Sequence, residues 1–317
     1  KKGSFKPVYL FYGEEAYLKQ QYKNRLKDAV LPEGDTINLS IYSGKGIDVE
    51  EMIAQADTMP FFAEHRLLLI EDSGFFKNAN QQLADYIPSI PEGTIMLFVE
   101  SEVDKRGKLY KAVNKKGSVV EFTAQNEQTL TRWILGILKT EGKMITSGAM
   151  KQFLEKTGTD MERIRQELEK LICYCMEKES ITEEDVAVIC SEQTENKIFD
   201  MINAMAEKKQ KKAMELYYDL LALKEPPMRI LYLITRQFNL LMQVKELSEE
   251  GYSAKTISER LKMAGFIVRN CLRQAEYFSL KTLKEALQDC VRMEEAVKTG
   301  RMNDVMSVEL LLVKYSS

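Results

Sequence analysis

Side chains suited to chemistry are sparse in this chain of 317 residues. There is one histidine, His65, between Glu64 and Arg66, and no nucleophile stands beside it in sequence, so any triad would have to be built on that single ring. Two adjacent carboxylates, Glu71-Asp72, close an apolar run, the place where a hydrolase holds magnesium and positions water. Without a cradle for phosphate they have nothing to act on. Cys173, Cys175, Cys190, Cys271 and Cys290 are odd in number and form no Cys-x-x-Cys pair; Cys173-x-Cys175 is too tight for a zinc knuckle. They read as reduced small hydrophobes. No catalytic, cofactor-binding or metal-ligating set emerges, and no cofactor is expected.

What the chain does offer is apolar. Thr58-Met59-Pro60-Phe61-Phe62 lies between a polar helical run and the strand-like Arg66-Leu67-Leu68-Leu69-Ile70, where a polar connection would be ordinary. Two readings of Met59, Phe61 and Phe62 stay open: they pack into the protein's own core, or they form a plug offered to a partner. Pro60 has a fixed φ and stiffens the turn either way.

The elements that must position these residues follow from periodicity. Val8-Tyr9-Leu10-Phe11-Tyr12, bounded by Pro7 and Gly13, reads as a buried strand, and a helix follows over 14–26 with acidic residues in its first turn. Further strands are expected at 36–42, 66–70, 94–99 and 119–122. Helices are expected at 48–56, where Asp48 and Glu51 suggest a capping box, at 78–87 and at 109–113. Strands alternating with helices imply a parallel sheet covered on both faces. From Asn126 the period becomes helical and stays so, with expected helices at 129–140, 147–157, 160–176 and 182–189, then at 196–206, 209–223, 226–250, 253–261, 265–277, 279–298 and 307–315. The expected division is 1–125, 126–195 and 196–317, with a hinge at Thr194-Glu195.

A sheet of this kind binds nucleotide where its first strand hands over to its first helix, and a P-loop there reads Gly-x-x-x-x-Gly-Lys-Ser or Thr. Here the junction is Gly13-Glu14-Glu15-Ala16-Tyr17-Leu18, with one glycine, no lysine and two carboxylates at a helix start. Carboxylates there oppose phosphate binding.

Several of these segments, in this order, carry a resemblance. Gly13-Glu14-Glu15 with Tyr17-Leu18, Met59-Pro60-Phe61-Phe62 followed by Arg66-Leu67-Leu68-Leu69-Ile70, and Asp104-Lys105-Arg106-Gly107-Lys108-Leu109-Tyr110-Lys111 are three of them. Ile198-Phe199-Asp200, Arg229-Ile230-Leu231, Arg236-Gln237-Phe238 and Lys298-Thr299-Gly300 are the others. Together they resemble the delta subunit of the bacterial DNA polymerase III clamp loader along all three expected domains. The resemblance implies an α/β, P-loop ATPase-like (AAA+ type) domain with a degenerate nucleotide site, then a small helical domain and a C-terminal helical collar domain. It also implies a subunit without catalysis of its own, within the polymerase holoenzyme. The implied role is to bind and open the sliding clamp (beta subunit) through Met59, Phe61 and Phe62. The implied partners are the loader's ATPase (tau/gamma) and delta-prime subunits and, within the complex, primer-template DNA. The family often has leucine before the last phenylalanine, so Phe61 is a departure.

Two basic features could serve such partners. Lys105, Arg106 and Lys108 could touch DNA phosphate or a neighbouring subunit, or simply be solvated; Arg229 and Arg236, seven apart on one helical face, could serve the collar or form surface ion pairs. The run Lys208-Lys209-Gln210-Lys211-Lys212 reads as a solvated turn. A formal charge of −3 argues against wrapping nucleic acid with the whole surface, and no stretch approaches 18 apolar residues, so a cytoplasmic protein is expected, without a membrane partner. The competing readings are a DNA-binding or structural helical scaffold, with Met59, Phe61 and Phe62 internal, and an active AAA+ nucleoside triphosphatase, against which the first loop speaks.

Overall fold

The computed structural model describes residues 5–78, 80–190 and 194–316, with the side chain of Glu195 aside. Lys1 to Ser4, and Ala79 within the expected helix at 78–87, lie outside the described residues. The chain divides into two compact units, Lys1–Gln125 and Asn126–Ser317.

The first unit is an α/β layer structure. Its elements are β1 (Val8–Tyr12), α1 (Ala16–Val30), β2 (Leu39–Ser43), α2 (Val49–Ala56), β3 (Arg66–Glu71), α3 (Gln81–Tyr86), β4 (Thr94–Glu100), α4 (Lys108–Lys116) and β5 (Ser118–Glu121). All strand pairs are parallel, in the order β2-β3-β4-β1-β5. This is the P-loop ATPase-like, AAA+ type arrangement, with β1 inside the sheet and its carboxyl end facing the position that a nucleotide occupies in such folds. The central strands β3 and β4 are almost wholly buried because apolar side chains point to both faces. Leu68, Ile70, Met96 and Phe98 meet α2, α3 and α4 on one face, while Leu67, Leu69, Ile95 and Leu97 meet the side of α1 on the other.

Local chemistry sets the boundaries. Glu15 is the N-cap of α1 and accepts from the Tyr17 amide at 3.3 Å, so the helix begins at Ala16 and the expected acidic first turn is a cap instead. Asp48 caps α2 through the Glu50 and Glu51 amides, at 2.9 and 3.2 Å. Asn80 caps α3, which is shorter than its pattern suggested and passes at Ile87-Pro88-Ser89 into a single tight turn. Strand β2 starts at Leu39, three residues later than expected, because Asp35 turns the chain by accepting from the amides of Ile37 and Asn38 at 3.1 and 3.0 Å.

The second unit is helical: α5 (Glu127–Thr140), α6 (Ser147–Thr157), α7 (Met161–Tyr174), α8 (Glu183–Ile189), α9 (Thr194–Ala206), α10 (Gln210–Ala222), α11 (Pro227–Glu249), α12 (Ala254–Leu261), α13 (Gly265–Ala275), α14 (Leu280–Lys298) and α15 (Asp304–Ser316). Two short parallel strands, β6 (Met144–Ile145) and β7 (Ser180–Ile181), tie the loop after α5 to the loop after α7. The expected connection at Thr194-Glu195 lies in the first turn of α9. Ile230, Ile234, Phe238, Leu241 and Val244 form the apolar stripe of α11, around which the later helices build one core. Among the described residues no helix is long and apolar enough to cross a membrane.

Candidate functional site

Met59, Phe61 and Phe62 stand on the link between α2 and β3, at the amino end of the sheet. Their relative exposures are 84, 55 and 96 %, so the core reading does not describe them. Phe61 and Phe62 meet edge to face with ring centroids 4.6 Å apart, which makes one apolar tip of two rings.

Exposed rings alone would be ordinary; the backbone beneath them is not. Asn38, 1 % exposed, accepts from the Phe61 amide through Oδ1 at 2.7 Å and donates through Nδ2 to the Phe61 carbonyl at 2.9 Å. Its second Nδ2 proton goes to Asp35 Oδ2 at 2.8 Å, and its own carbonyl accepts from the Leu67 amide at 2.8 Å. The Asp35 carboxyl is held below its ordinary range, chiefly by the Asn38 side chain. From the other side Pro60 lies against Gly93, where an added Cβ would come within 3.4 Å of the proline ring and 3.3 Å of the Glu64 carbonyl. Gly93 also holds a φ of +90°, so the turn that supports the tip wants glycine twice over. Thr94 Oγ1 donates to the Ala56 carbonyl at 2.8 Å and secures the end of α2. Phe62 itself has a φ of +51°, a left-handed conformation that is uncommon for a bulky side chain and turns its ring outward.

The carboxyl end of the sheet is built oppositely. Only Gly13, Glu14 and Glu15 separate β1 from α1, too few for a loop that wraps phosphate. A Cβ on Gly13 would meet the Phe122 carbonyl oxygen at 2.3 Å, and the Glu15 amide donates to that same oxygen at 3.1 Å. The neighbouring carboxylates are also taken. Glu71 pairs with Lys23 at 2.6 Å, and Asp72 accepts from Ser101 Oγ at 3.2 Å. Glu100 is buried and accepts from the Ser73 hydroxyl, the Ser73 amide at 3.1 Å and the Gly74 amide at 3.3 Å. Burial pushes its carboxyl up, and those bonds pull the other way. Lys19 donates to the Glu100 carbonyl at 3.2 Å.

Most of the basic residues singled out in the sequence pair with nearby groups. Lys105 pairs with Glu121 at 2.8 Å and lies over the Tyr12 ring at 5.4 Å; Lys108 donates to Gln81 at 2.7 Å. Arg106 is almost fully exposed and folds back on Asp104 at 3.1 Å. Lys209 pairs with Glu207 and Lys211 with Glu215, at 2.6 and 3.9 Å. Arg229 pairs with Glu225 at 3.3 Å, whereas exposed Arg236 borders a cavity of about 740 Å³ in the helical unit. His65 stacks edge to face on Phe5 at 5.4 Å. Four of the cysteines are buried thiols, while Cys173 is exposed, so the reading of all five as small hydrophobes needs correcting there. Among the described residues no three His, Cys, Asp or Glu side chains gather as a metal site.

Sequence reasoning missed two groups. Asp35 and Asn38 look like turn formers, and nothing local connects them to Phe61, 23 positions on. The other group is on α15, where Met306, Leu310 and Val313 recur at i, i+4 and i+7 and stay exposed while Val308, Leu311 and Leu312 fill the core.

The first unit is thus a P-loop-type, AAA+-like sheet whose phosphate corner is closed, with an exposed apolar tip at its other end, and a helical unit follows it in the chain. Comparison with known proteins makes this specific. The model of the DNA polymerase III delta subunit family matches residues 9–123, and the model of the C-terminal domain of that delta subunit matches 195–315. The chain is 31 % identical to DNA polymerase III subunit delta of Bacillus subtilis, over 99 % of this chain and 94 % of that protein. It is 22 % identical to the probable DNA polymerase III subunit delta of Aquifex aeolicus, over 77 % of this chain and 72 % of that one. Among solved structures, the Bacillus subtilis DNA clamp loader delta protein superposes with a TM-score of 0.70 at 30 % identity, covering 99 % of this chain and 96 % of that one. The chain belongs to the DNA polymerase III delta subunit family of clamp-loader proteins.

Proposed function

We propose that this protein binds the sliding clamp by inserting Met59, Phe61 and Phe62 into an apolar pocket on the clamp surface, and that this binding opens the ring for loading on primed DNA. The observation that carries the reading is an exposed apolar tip whose backbone is locked from both sides. Burying a Met or Phe side chain contributes about 1.5–3 kcal/mol, so the three together supply about 5–9 kcal/mol before the cost of association. A preformed tip loses less entropy on docking than a floppy one.

Opening then needs no chemical step. If the tip fits a sprung clamp better than a closed one, the ring shifts toward the open state by that difference in affinity. Nucleotide would act in partner ATPase subunits, by exposing or hiding this tip. The delta-prime and ATPase subunits are proposed to meet the helical segment 196–317, with the Met306, Leu310 and Val313 stripe as the apolar part of that collar contact and Arg229 and Arg236 at its edge. Segment 126–195 is proposed as a small separate domain, and Lys105, Arg106 and Lys108 as contacts to DNA or a neighbour. Of these three cations Arg106 has the least to give up. A cytoplasmic location belongs to the same proposal.

The test is a titration of purified clamp against the intact chain and the Met59→Ala/Phe61→Ala/Phe62→Ala variant, with and without ATP. Binding that ignores ATP and vanishes in a folded variant is expected. Binding unchanged by the three substitutions would sink the assignment.

A further inference from the structure

We propose that Asn38, with Asp35 behind it, is the positioning residue of the clamp-binding tip: it touches no partner, and it holds Phe61 and Phe62 in the binding conformation before the partner arrives. The proposal rests on Met59, Phe61 and Phe62 binding the clamp, and it assigns a role to residues that lie 21 or more positions earlier in the chain.

The geometry leaves little freedom. A primary amide has two donor protons and one acceptor oxygen, and here Oδ1 takes the Phe61 amide while the Nδ2 protons go to the Phe61 carbonyl and to Asp35. Turning the amide over would set its protons against the Phe61 amide and its oxygen against a carbonyl and a carboxylate, so the orientation is fixed by its partners. Asn38 thus treats Phe61 as a neighbouring strand would, bonding both peptide groups of one residue. It is itself fixed to β3 through the Leu67 amide. The tip is therefore linked to the amino end of the sheet, although it belongs to a loop.

The restraint matters because the next residue is Phe62 at φ +51°. A phenylalanine in a free loop leaves that conformation for extended or right-handed backbone, and the outward ring then swings away. Apart from the packing of Pro60 on Gly93, which acts on the residue before Phe61, few contacts oppose this. Arg66, buried beneath the loop, reaches the Met59 carbonyl only at 3.5 Å, and its Nε and Nη1 are buried without partners. Without the Asn38 bonds, the competent conformer becomes a fraction of the population and apparent affinity falls by that fraction.

The experiment titrates full-length Asn38→Ala and Asn38→Asp variants with purified sliding clamp, beside the wild type and the triple-alanine tip variant, and records the melting temperature of each. Asn38→Ala is expected to raise Kd at least tenfold while the titration reaches the same stoichiometric plateau, because excess clamp still selects the competent conformer. Asn38→Asp keeps the acceptor for the Phe61 amide but sets a carboxylate oxygen against the Phe61 carbonyl and the Asp35 carboxylate, so it should weaken binding at least as much as Asn38→Ala. A lowered plateau with a lowered melting temperature would mean general damage to the fold and would overturn the positioning role. If Asn38→Ala does not fold, Asn38→Asp decides alone: a Kd equal to the wild type's overturns the proposal. Loss of binding in the triple-alanine variant with wild-type binding in both Asn38 variants refutes positioning but leaves the tip standing. Unchanged binding in the triple-alanine variant refutes the tip itself.

Discussion

The two ends of the sheet in the first unit make opposite use of the same kind of element junction. At the carboxyl end, where ligands enter open α/β sheets, the link from β1 to α1 has shrunk to three residues, Gly13 abuts Phe122, and Lys19, Lys23, Glu71 and Glu100 satisfy one another or nearby backbone. At the amino end, the link from α2 to β3 sends three large apolar side chains into solvent over a backbone that Asn38 and Gly93 hold still. The first junction has no room for a phosphate loop, and the second is, on the function proposed above, one half of an interface. A fold framed for nucleotide chemistry can thus keep its core while the loops at its two ends diverge.

The largest test of that contrast removes the tip. Alanine at Met59, Phe61 and Phe62 should weaken clamp binding by about a thousandfold or more, some 4 kcal/mol at about 1.4 kcal/mol per decade, with the melting temperature almost unchanged because the lost area is exposed in the free protein. Calorimetric titration with parallel thermal melts checks both halves.

Next comes the closed end. Gly13→Ala places a methyl against the Phe122 carbonyl at a φ of +118°, so it should destabilise the protein by about 2–4 kcal/mol in denaturant unfolding. Clamp affinity measured where the variant is still folded should stay at the wild-type level. A fall in affinity there would mean that the two ends communicate.

Salt sharpens the comparison further. Binding through the tip is apolar and should change by less than about threefold between roughly 50 and 300 mM salt, whereas any contribution of Arg106 to DNA should fall steeply over the same range. Arg106→Ala should therefore leave clamp binding alone and flatten the salt dependence of DNA binding by the assembled loader.

The smallest effect is one of acid. The Asp185 carboxyl is lowered to about 2, first by its bond from Lys178 and then by the Thr182 amide. A depressed folded-state value means stability that is present above the unfolded value near about 4 and lost as pH falls toward about 2. Asp185→Asn should remove that limb from the pH profile of unfolding for the helical unit, with no effect on the tip.

Legibility differed from element to element. Helices α6, α11 and α14 were readable to within a residue at each end, because their apolar stripes run for three turns or more and Thr146, Pro227 and Ser279 mark their starts. The β6–β7 pair was not, since two residues carry no periodicity and their partners lie 36 positions apart. The pairing of Glu71 was missed for the same reason: Lys23 comes from another element, 48 positions away.

Composition and order alone determined that this chain has an α/β start, a helical remainder, no phosphate-binding loop and an unusual apolar cluster at 59–62. Periodicity, glycine placement and the absence of a lysine are local properties of a chain, so they are open to reading in one dimension. Tertiary structure decided whether Met59, Phe61 and Phe62 face inward or outward and what keeps them there. Exposure and restraint depend on groups brought together by folding, above all the amide of Asn38 closing on Phe61 across 23 positions.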